Sequence, residues 1–466
     1  MPKHQVVIIG GGPGGYETAI RLNQYGIDCA VIEAERLGGV CLNWGCIPTK
    51  ALVKSAELWS EMLDAESYGL PKSSATPHYA SIFARKNAVV EQLVGGIEFL
   101  FRKRQIPVYK DKALSVANRN GHYIVACASA EEIEAEYLIV ATGSEPKNLP
   151  GIAIDEDCIL SSTGVLRLDT LPASIAVVGG GVIGCEFVSI LNTFGVQTQI
   201  IEFLPRILPL EDEEISKRLT MALKKSGIKI TTGVGVQTSR KTPEGVELLL
   251  SDGKTLTVEK VLLSVGRNPL TGLIWEPEQP LVERSAIIID SEMRTSLPKV
   301  YAIGDVTAKL PLAHTASKQG LLVAEHIRCL IQNEEYHSAP LNYTNIPRCT
   351  FTHPEVASVG LTEEEAKAQY GEIKVGKFPF SASGKALAMG NTFGLVKTIA
   401  RAEDSLLLGM HIIGIQAAEL IAQGALLISL GATAHDAEKA VFAHPTLSES
   451  IKEAIEDLNN LSIHKI

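Results

Sequence analysis

The 466-residue sequence contains no long uninterrupted apolar run and no long run of basic residues. Its most apolar carboxy-terminal stretch, 406–430, is interrupted by polar side chains such as His411, Glu419 and Gln423, so it is too polar to span a bilayer. The net charge of −10 argues against a general affinity for nucleic acid or for anionic membranes. An apolar strand begins almost at once, which leaves no room for a signal peptide. We expect a cytoplasmic protein that binds neither nucleic acid nor membrane.

Cysteine is scarce, with eight residues in the chain. Six of them are scattered singly, as small buried hydrophobic residues are. Only Cys41 and Cys46 form a close pair, which in a reducing compartment is more often catalytic or metal-binding than structural. No second clustered pair offers further ligands, so we expect no metal site. Taken alone, the pair is equally consistent with two buried free thiols.

The sequence does contain one glycine-rich signature in two copies. The first copy consists of Gly10, Gly12, Gly15 and Glu33. The second copy lies 169 positions further along the chain and consists of Gly179, Gly181, Gly184 and Glu202. In a strand–helix–strand unit such glycines let a pyrophosphate approach a helix start, and the distant carboxylate accepts hydrogen bonds from an adenosine ribose. Because each copy follows an apolar strand, the sequence predicts two dinucleotide-binding sites.

The second site favours NAD over NADP. The carboxylate of Glu202 suits a free ribose 2′-hydroxyl and repels a 2′-phosphate. Only one cation, Arg206, lies close enough in sequence to bind such a phosphate. Arg206 therefore leaves NADP open as the alternative.

Alternating apolar strands and helices predict an α/β fold, with two Rossmann-like dinucleotide-binding domains and a carboxy-terminal α+β dimerisation domain. The second dinucleotide unit looks inserted into the first. The predicted segments are 1–146 (first part of the first domain), 147–270 (second domain), 271–341 (completion of the first domain) and 342–466 (interface domain). The first unit is expected to have strands at 6–9 and 29–33 around a helix at 16–25. In the last segment we expect strands at 349–351, 373–377, 395–399 and 406–413 and helices at 363–369, 417–430 and 448–458.

The cysteine pair has the spacing of a redox-active dithiol. Cys41 and Cys46 bracket four residues that include Gly45. A small ring at a strand-to-helix transition is readily strained, and strained disulfides are easily reduced. A helix start and Lys50 would lower a thiol pKa and so favour the reactive thiolate.

Gly-Gly-Val-Cys-Leu-Asn-Trp-Gly-Cys-Ile-Pro-Thr-Lys, from Gly38 to Lys50, resembles the redox-active segment of the flavoprotein disulfide reductases. Within that family it is most similar to the enzymes that oxidise dihydrolipoamide. Further matching motifs lie at 141–143, 304–305, 312–314 and 444–449. The resemblance covers essentially the whole chain.

The resemblance implies FAD in the first site and NAD in the second. Asp305 would bind the flavin ribityl chain, and the helix after Leu312 would direct its positive end at the flavin. The other residues implied as cofactor contacts are Lys50, Ala113, Thr142, Gly143, Val236, Gly266, Ala313 and His314.

The resemblance also implies the catalytic groups. His444, oriented by Glu449, would remove a proton from a dihydrolipoamide thiol, whose thiolate attacks Cys41, while Cys46 passes the electron pair to the flavin. Lys50 and Glu186 would form an ion pair beside the flavin. Because His444 would act on the cysteines of the other subunit, the resemblance implies a homodimer with a shared active site. The lipoyl group would come from another chain, either a lipoylated acyltransferase subunit of a 2-oxo acid dehydrogenase complex or a lipoyl carrier protein of the glycine cleavage system.

Several of these residues have simpler explanations. Glu186 could be a polar residue in the first turn of an apolar helix. Glu449 could form a capping box with Thr446. A second His-Pro dipeptide, His353-Pro354 with Glu355 beside it, competes with His444.

Other activities on the same scaffold remain alternatives. A glutathione-type reductase places an arginine where Ile20 stands, and a mercuric or large thioredoxin reductase adds a carboxy-terminal cysteine pair that this chain lacks. A dinucleotide-binding redox sensor would not need the cysteines, Lys50 and His444 together. The chain departs from the common family pattern at Val40, Val182 and Phe442, none of which removes a required catalytic group.

Overall fold

The computed structural model of the chain describes residues 1–71, 73 and 75–465. The chain forms two compact units, each built from three segments. The first unit comprises Met1–Ala51, Ala80–Lys147 and Gly266–Leu341, and the second comprises Leu52–Tyr79, Asn148–Val265 and Asn342–Ile466. The division into the four predicted domain segments stays a prediction, and Ile466, the end of the last one, lies outside the described residues.

A large mixed sheet forms the centre of the first unit. Its strand order is Ile274–Glu276, Ala113–Arg119, His122–Cys127, Glu132–Val140, Lys3–Ile9, Cys29–Ile32 and Val108–Tyr109, with Val300–Ala302 also paired to Glu132–Val140. Small two-stranded pairs are Ser144–Pro146 with Arg267–Pro269 and Val282–Glu283 with Ala286–Ile287. Three helices lie wholly in this unit, namely Pro13–Gln24, Gly39–Trp44 and Ala313–Gln332, and a 3-10 turn spans Gly304–Thr307. The helix Cys46–Leu63 begins in the unit, and the helix Tyr79–Arg104 begins one residue before its second segment.

The central strands of this sheet are apolar because both of their faces are buried. Val6, Val7 and Ile8 are fully buried in a strand that runs parallel to both of its neighbours. Parallel pairing brings the carboxyl ends of the strands to one edge, where Gly10 follows. A Cβ atom at Gly10 would lie 2.2 Å from the carbonyl oxygen of Ala141, so only glycine fits there.

The second unit contains three sheets. A parallel sheet has the order Lys229–Thr232, Gln197–Glu202, Ser174–Val178, Lys260–Leu263 and Ile159–Leu160, and an antiparallel meander joins Val236–Thr242, Gly245–Leu250 and Thr255–Val258. The third sheet is antiparallel, with the order Arg348–Thr350, Glu355–Gly360, Leu407–Gly414, Leu395–Arg401 and Ile373–Pro379. The α-helices wholly within this unit are Ser162–Arg167, Val182–Thr193, Glu213–Lys225, Glu363–Tyr370, Gly384–Ala388, Ala417–Ser429, Ala434–Glu438 and Glu449–Glu456. Short 3-10 turns lie at Ala65–Tyr68, Tyr343–Asn345, Phe380–Ala382 and Asp457–Asn459.

The α/β fold class and the element types are confirmed, with differences at the ends. The first helix begins at Pro13 rather than at residue 16, because proline suits a first helical turn. The helix predicted at 448–458 is Glu449–Glu456 followed by a 3-10 turn. The strand Glu355–Gly360 was missed, although it lies inside the third sheet and pairs with both Arg348–Thr350 and Leu407–Gly414.

One expectation about the scattered cysteines is corrected here. Of the six scattered cysteines, Cys158 and Cys349 are only half-buried, while the other four are buried. None of the helices within the described ranges combines the length and the apolar character that a membrane span requires.

A buried ion cluster anchors the start of the helix Glu213–Lys225 in the second unit. The Lys397 ammonium lies 2.8 Å from an Asp212 oxygen and 2.8 Å from a Glu363 oxygen, and Lys397 and Asp212 are each 2% exposed. Asp212 also accepts the Glu214 backbone N–H and so caps the helix. Burial alone would raise the pKa of the Asp212 carboxyl, but the hydrogen bonds from Lys397, nearby positive charge and the Glu363 backbone N–H together lower that pKa.

Replacing Lys397 by alanine is expected to cost about 3 kcal/mol of stability, because it leaves a buried carboxylate unpaired. Thermal unfolding of Lys397→Ala should show a midpoint several degrees below that of the unchanged protein. Lys367→Ala is the control, since Lys367 pairs with the same Glu363 from an exposed position and should cost under about 0.5 kcal/mol. Because the pKa of Asp212 is lowered, this stabilisation is lost only in strongly acidic solution. An equal effect of the two substitutions would contradict the prediction.

Candidate active site

Cys41 and Cys46 lie on two consecutive helices of the first unit. Cys41 belongs to Gly39–Trp44, Cys46 is the first residue of Cys46–Leu63, and both are present as thiols. The expected strand-to-helix transition is therefore wrong, because the preceding strand ends at Ile32. Gly45 makes the bend between the two helices, where a Cβ atom would lie 2.7 Å from the Val40 carbonyl oxygen. A single residue thus separates the two helices, and the two thiols lie close enough to form a hydrogen bond.

The two thiols interact directly. A hydrogen bond to the Cys46 side chain, followed by burial, raises the pKa of the Cys41 thiol, and the charge of Lys50 only partly opposes this. The expectation that Lys50 and a helix start give a low thiol pKa is therefore wrong for Cys41. A coupled pair loses its protons in two steps that belong to the pair and not to either thiol alone. The contact between the two thiols suits them to form a disulfide.

The first glycine signature has the geometry of a dinucleotide site. Glu33 accepts the Gly11 N–H at 2.6 Å through one oxygen and the Glu35 N–H at 2.8 Å through the other. Each carboxylate oxygen keeps a second lone pair for a ribose hydroxyl. The helix Pro13–Gln24 starts at Gly12 without a side-chain cap, so its first N–H groups point at a space suited to a pyrophosphate.

Two buried polar atoms near this signature have no hydrogen-bond partner among the described residues. They are Asn43 Oδ1, in the cysteine-bearing helix, and Thr315 Oγ1, in the first turn of the helix Ala313–Gln332. Buried polar atoms are normally hydrogen-bonded, so both are suited to contacts with a bound molecule. These atoms, the uncapped helix and Glu33 fit an adenine dinucleotide with polar groups along its length, such as FAD.

Asp305 lies in a network that the sequence analysis missed in part. Its Oδ2 accepts the Ser144 hydroxyl at 2.5 Å and lies 3.9 Å from the Arg267 Nε. Arg267 also donates to the Ser144 hydroxyl oxygen at 2.7 Å and to the Ser144 carbonyl at 2.5 Å. Burial lowers the pKa of the Arg267 guanidinium, and the negative charges of Asp305 and Cys46 oppose this. The position of this basic residue, directly after Gly266, was the sequence feature from which the role of Arg267 could have been predicted.

The other residues predicted to contact the first cofactor all lie in the first unit. Thr142 donates its hydroxyl to the Leu270 carbonyl at 2.6 Å, and Gly143 has a positive φ of 77°. Leu312 is the residue before the helix that begins at Ala313 and His314. Ala113 begins a strand, Gly266 precedes Arg267, and Lys50 lies one turn after Cys46. Their contacts with a cofactor stay predictions.

The second signature repeats the geometry of the first in the second unit. Glu202 accepts the Gly180 N–H at 2.5 Å and the Leu204 N–H at 2.6 Å. Gly179 and Gly184 approach each other, since a Cβ atom at Gly184 would lie 2.1 Å from the Gly179 carbonyl oxygen. The helix Val182–Thr193 starts at Gly181 without a side-chain cap. These features fit a second dinucleotide, and Val236 begins a strand of the same unit.

The position of Arg206 favours NAD over NADP. One guanidinium nitrogen, Nη2, donates to the carbonyls of Pro209 and Glu211, at 3.2 Å and 3.4 Å. The other, Nη1, lies 3.9 Å from a Glu364 oxygen. A guanidinium committed to these groups is poorly placed to bind a 2′-phosphate, whereas Glu202 remains suited to a 2′-hydroxyl.

Glu186 is a buried residue of the helix Val182–Thr193, and its Oε1 accepts the Phe351 N–H at 2.9 Å. It therefore joins this helix to the strand segment at 348–350. Its predicted ion pair with Lys50 stays a prediction.

His444 and Glu449 lie together in the second unit. His444 Nδ1 is 2.9 Å from Glu449 Oε1, and the His444 side chain is 80% exposed. The second Glu449 oxygen accepts the Thr446 N–H at 2.8 Å. A carboxylate on Nδ1 fixes the ring and leaves Nε2 available to accept a proton.

Two of the alternatives, the capping box at Glu449 and the competing dipeptide at His353, agree with the structure only in part. The Thr446 hydroxyl donates to the Ala443 carbonyl instead of accepting the Glu449 N–H, so the expected capping box has only one of its two bonds. At the competing dipeptide, Glu355 accepts the Ala418 N–H at 2.9 Å. Glu355 thus serves a helix start, and burial raises its pKa.

The described part of the chain contains no cluster of three or more histidine, cysteine or acidic side chains that could hold a metal ion.

Comparison with known proteins identifies the two parts of the chain. Residues 4–320 match the sequence pattern described as pyridine nucleotide-disulphide oxidoreductase, and residues 346–455 match the dimerisation domain of the same family. The pattern of the first match covers both glycine signatures and the cysteine pair.

Individual relatives match over nearly the full length. The chain is 39% identical to a dihydrolipoyl dehydrogenase from Bacillus subtilis, with 99% of each chain covered. It is 40% identical to a dihydrolipoyl dehydrogenase from Thermus scotoductus, with 100% of this chain and 99% of the relative covered. Among solved structures, LpdA from Mycobacterium tuberculosis superposes with a TM-score of 0.88 at 26% identity, over 98% of this chain and 100% of that one.

Proposed function

Because the chain belongs to the pyridine nucleotide-disulphide oxidoreductase family, we propose that it oxidises dihydrolipoamide to lipoamide and reduces NAD to NADH. Its full-length relatives are dihydrolipoyl dehydrogenases, and FAD and NAD are its cofactors. The observation that carries the proposal is the direct contact between the Cys41 and Cys46 thiols beside the first dinucleotide signature.

Glu33 would hold the adenosine ribose of FAD, the uncapped helix after Gly12 its pyrophosphate, and Asp305 its ribityl chain. Asp305 is kept in place by Ser144 and Arg267. The chemistry that FAD would supply there is transfer of an electron pair between the thiols and NAD. Glu202 of the second signature would hold NAD.

The cysteines and His444 carry the dithiol chemistry. His444 of the partner subunit removes the proton from one substrate thiol, and the resulting thiolate attacks Cys41 of the oxidised Cys41–Cys46 bridge. The S–S bond breaks, Cys46 leaves as a thiolate, and a mixed disulfide joins the substrate to Cys41. The second substrate thiol releases its proton to solvent, and its sulfur attacks the substrate sulfur of the mixed disulfide. The bond between that sulfur and Cys41 breaks, which releases lipoamide and the Cys41 thiolate. His444 returns a proton to Cys41, so the pair has gained two electrons as one thiol and one thiolate.

A homodimer is supported by the surface around His444. A cavity of about 370 Å³ is lined by apolar side chains that include Leu427, Val441 and Phe442. Leu426 is 62% exposed and Val441 is 99% exposed, which is unusual for apolar residues grouped on one surface. These residues lie within the match to the family's dimerisation domain. Phe442 adds to this apolar surface.

The substrate thiols are presented by another chain, which we propose to be a lipoylated acyltransferase subunit or a lipoyl carrier protein. Ile20, on the helix Pro13–Gln24, is partly buried against the core of the first unit that also receives Cys41. An apolar side chain there suits the hydrocarbon arm of a lipoyl group better than the carboxylates of glutathione.

Anaerobic titration with dihydrolipoamide tests this function. Two reducing equivalents per FAD should produce a long-wavelength absorption band, because the Cys46 thiolate lies beside the oxidised flavin. Glutathione, a monothiol, is the matched control and should give no band at equal thiol concentration. FAD-replete protein that shows no band with dihydrolipoamide, or no NADH when NAD is added, would sink the proposal.

A further inference from the structure

The two dinucleotide signatures differ at the residue that follows the ribose-binding glutamate. In both copies the glutamate binds a glycine N–H and the N–H two residues beyond itself, with nearly equal distances. The residue enclosed by this turn is Ala34 in the first copy and Phe203 in the second. The backbone frame is the same, so the change from alanine to phenylalanine is a difference in side chain alone.

Phe203 is held at a fixed place on the surface. The Val234 N–H donates to the Glu202 carbonyl at 3.1 Å, and the Gly233 N–H donates to the Leu204 carbonyl at 3.0 Å, so the backbone on both sides is tied to the next strand. A Cβ atom at Gly235 would lie 3.3 Å from Phe203 Cδ2. The ring therefore rests with one edge over a glycine, while 74% of the residue is exposed.

A fixed and exposed aromatic ring is suited to stacking on another planar group. The adenine base is attached to the ribose whose hydroxyls Glu202 is placed to bind, and Phe203 is the next residue. We propose that the Phe203 side chain is the stacking surface for the adenine of NAD. The inference rests on the proposed function, which makes NAD the second nucleotide.

The difference between the two copies has a physical reason. FAD stays bound, and its isoalloxazine and ribityl groups offer many other contacts, so Ala34 suffices beside its adenosine. NAD enters and leaves in every turnover. Its adenosine half lies at an open strand end, where a stacking side chain contributes to the binding free energy. Val236, which is predicted to contact a cofactor, directly follows Gly235 in the sequence.

Calorimetric titration of the FAD-replete protein with ADP-ribose tests this role without turnover. Phe203→Ala should raise the Kd for ADP-ribose about three- to tenfold, which is the usual size of an aromatic stacking contribution. Phe203→Trp should keep the Kd within about twofold of the unchanged protein. Met221→Ala is the control, since Met221 is 57% exposed on a helix of the same unit and should leave the Kd unchanged.

Kinetics give a second readout. Phe203→Ala should raise the KM for NAD by a similar factor and leave kcat and the KM for dihydrolipoamide unchanged. Nicotinamide mononucleotide lacks adenine, so its binding should be equal in all variants. Unchanged ADP-ribose binding in folded Phe203→Ala overturns the inference while leaving the proposed function intact. Failure of the unchanged protein to bind ADP-ribose overturns the inference together with the assignment of NAD.

Discussion

Replacing Cys41 by serine is expected to lower the rate of dihydrolipoamide oxidation by at least about a thousandfold, since a serine hydroxyl cannot form the mixed disulfide. Cys46 would then lack its bridge partner, and the electron pair of the substrate would have no route to the FAD. NADH-driven reduction of an artificial acceptor such as ferricyanide should persist, because that reaction does not use the thiol pair. The measurement is the ratio of the two activities in protein with equal FAD content.

Cys158→Ser is the matched control for this experiment. Cys158 is a half-buried thiol of the second unit that donates to an Asp157 oxygen at 3.5 Å. Both activities should stay within about twofold of the unchanged protein, as for most surface substitutions. A Cys41→Ser protein that still oxidises dihydrolipoamide at an appreciable rate would exclude the thiol mechanism.

The internal repeat made the two nucleotide sites predictable from the sequence. Glycine spacing and a distant glutamate are local features, and the backbone that they require is the same in both copies. The structure confirms this in the paired hydrogen bonds of Glu33 and Glu202. The reason is that a strand–turn–helix unit fixes its own geometry within about thirty residues.

Features that depend on distant segments could not be predicted in the same way. Arg267 was passed over because its partners, Ser144 and Asp305, come from segments far apart in the sequence. The strand Glu355–Gly360 was missed because its side chains are mostly small and of mixed polarity, and only its neighbours in the sheet bury it. The raised pKa of Cys41 likewise follows from the hydrogen bond to the neighbouring thiol and from burial, which spacing alone does not reveal.

His444→Gln is expected to lower kcat/KM for dihydrolipoamide by about 10²- to 10⁴-fold, the usual contribution of a general base. Glutamine keeps a polar group opposite Glu449 but cannot take up the thiol proton. NADH-driven reduction of ferricyanide should be nearly unchanged, since no proton is removed from a dithiol in that reaction. Glu449→Gln should give a smaller loss, because the ring keeps a hydrogen-bond acceptor at Nδ1 but loses the charge that stabilises its protonated form.

The second His-Pro dipeptide supplies the comparison that isolates this role. His353→Gln alters an exposed side chain and keeps the backbone N–H that donates to the Ser189 hydroxyl at 3.0 Å. Its neighbour Glu355 accepts the Ala418 N–H and so serves a helix start instead of orienting an imidazole. We therefore expect both activities of His353→Gln to remain within about twofold of the unchanged protein. Similar losses in the two variants, or an equal loss of both activities in His444→Gln, would point to a structural role for His444 instead of proton transfer.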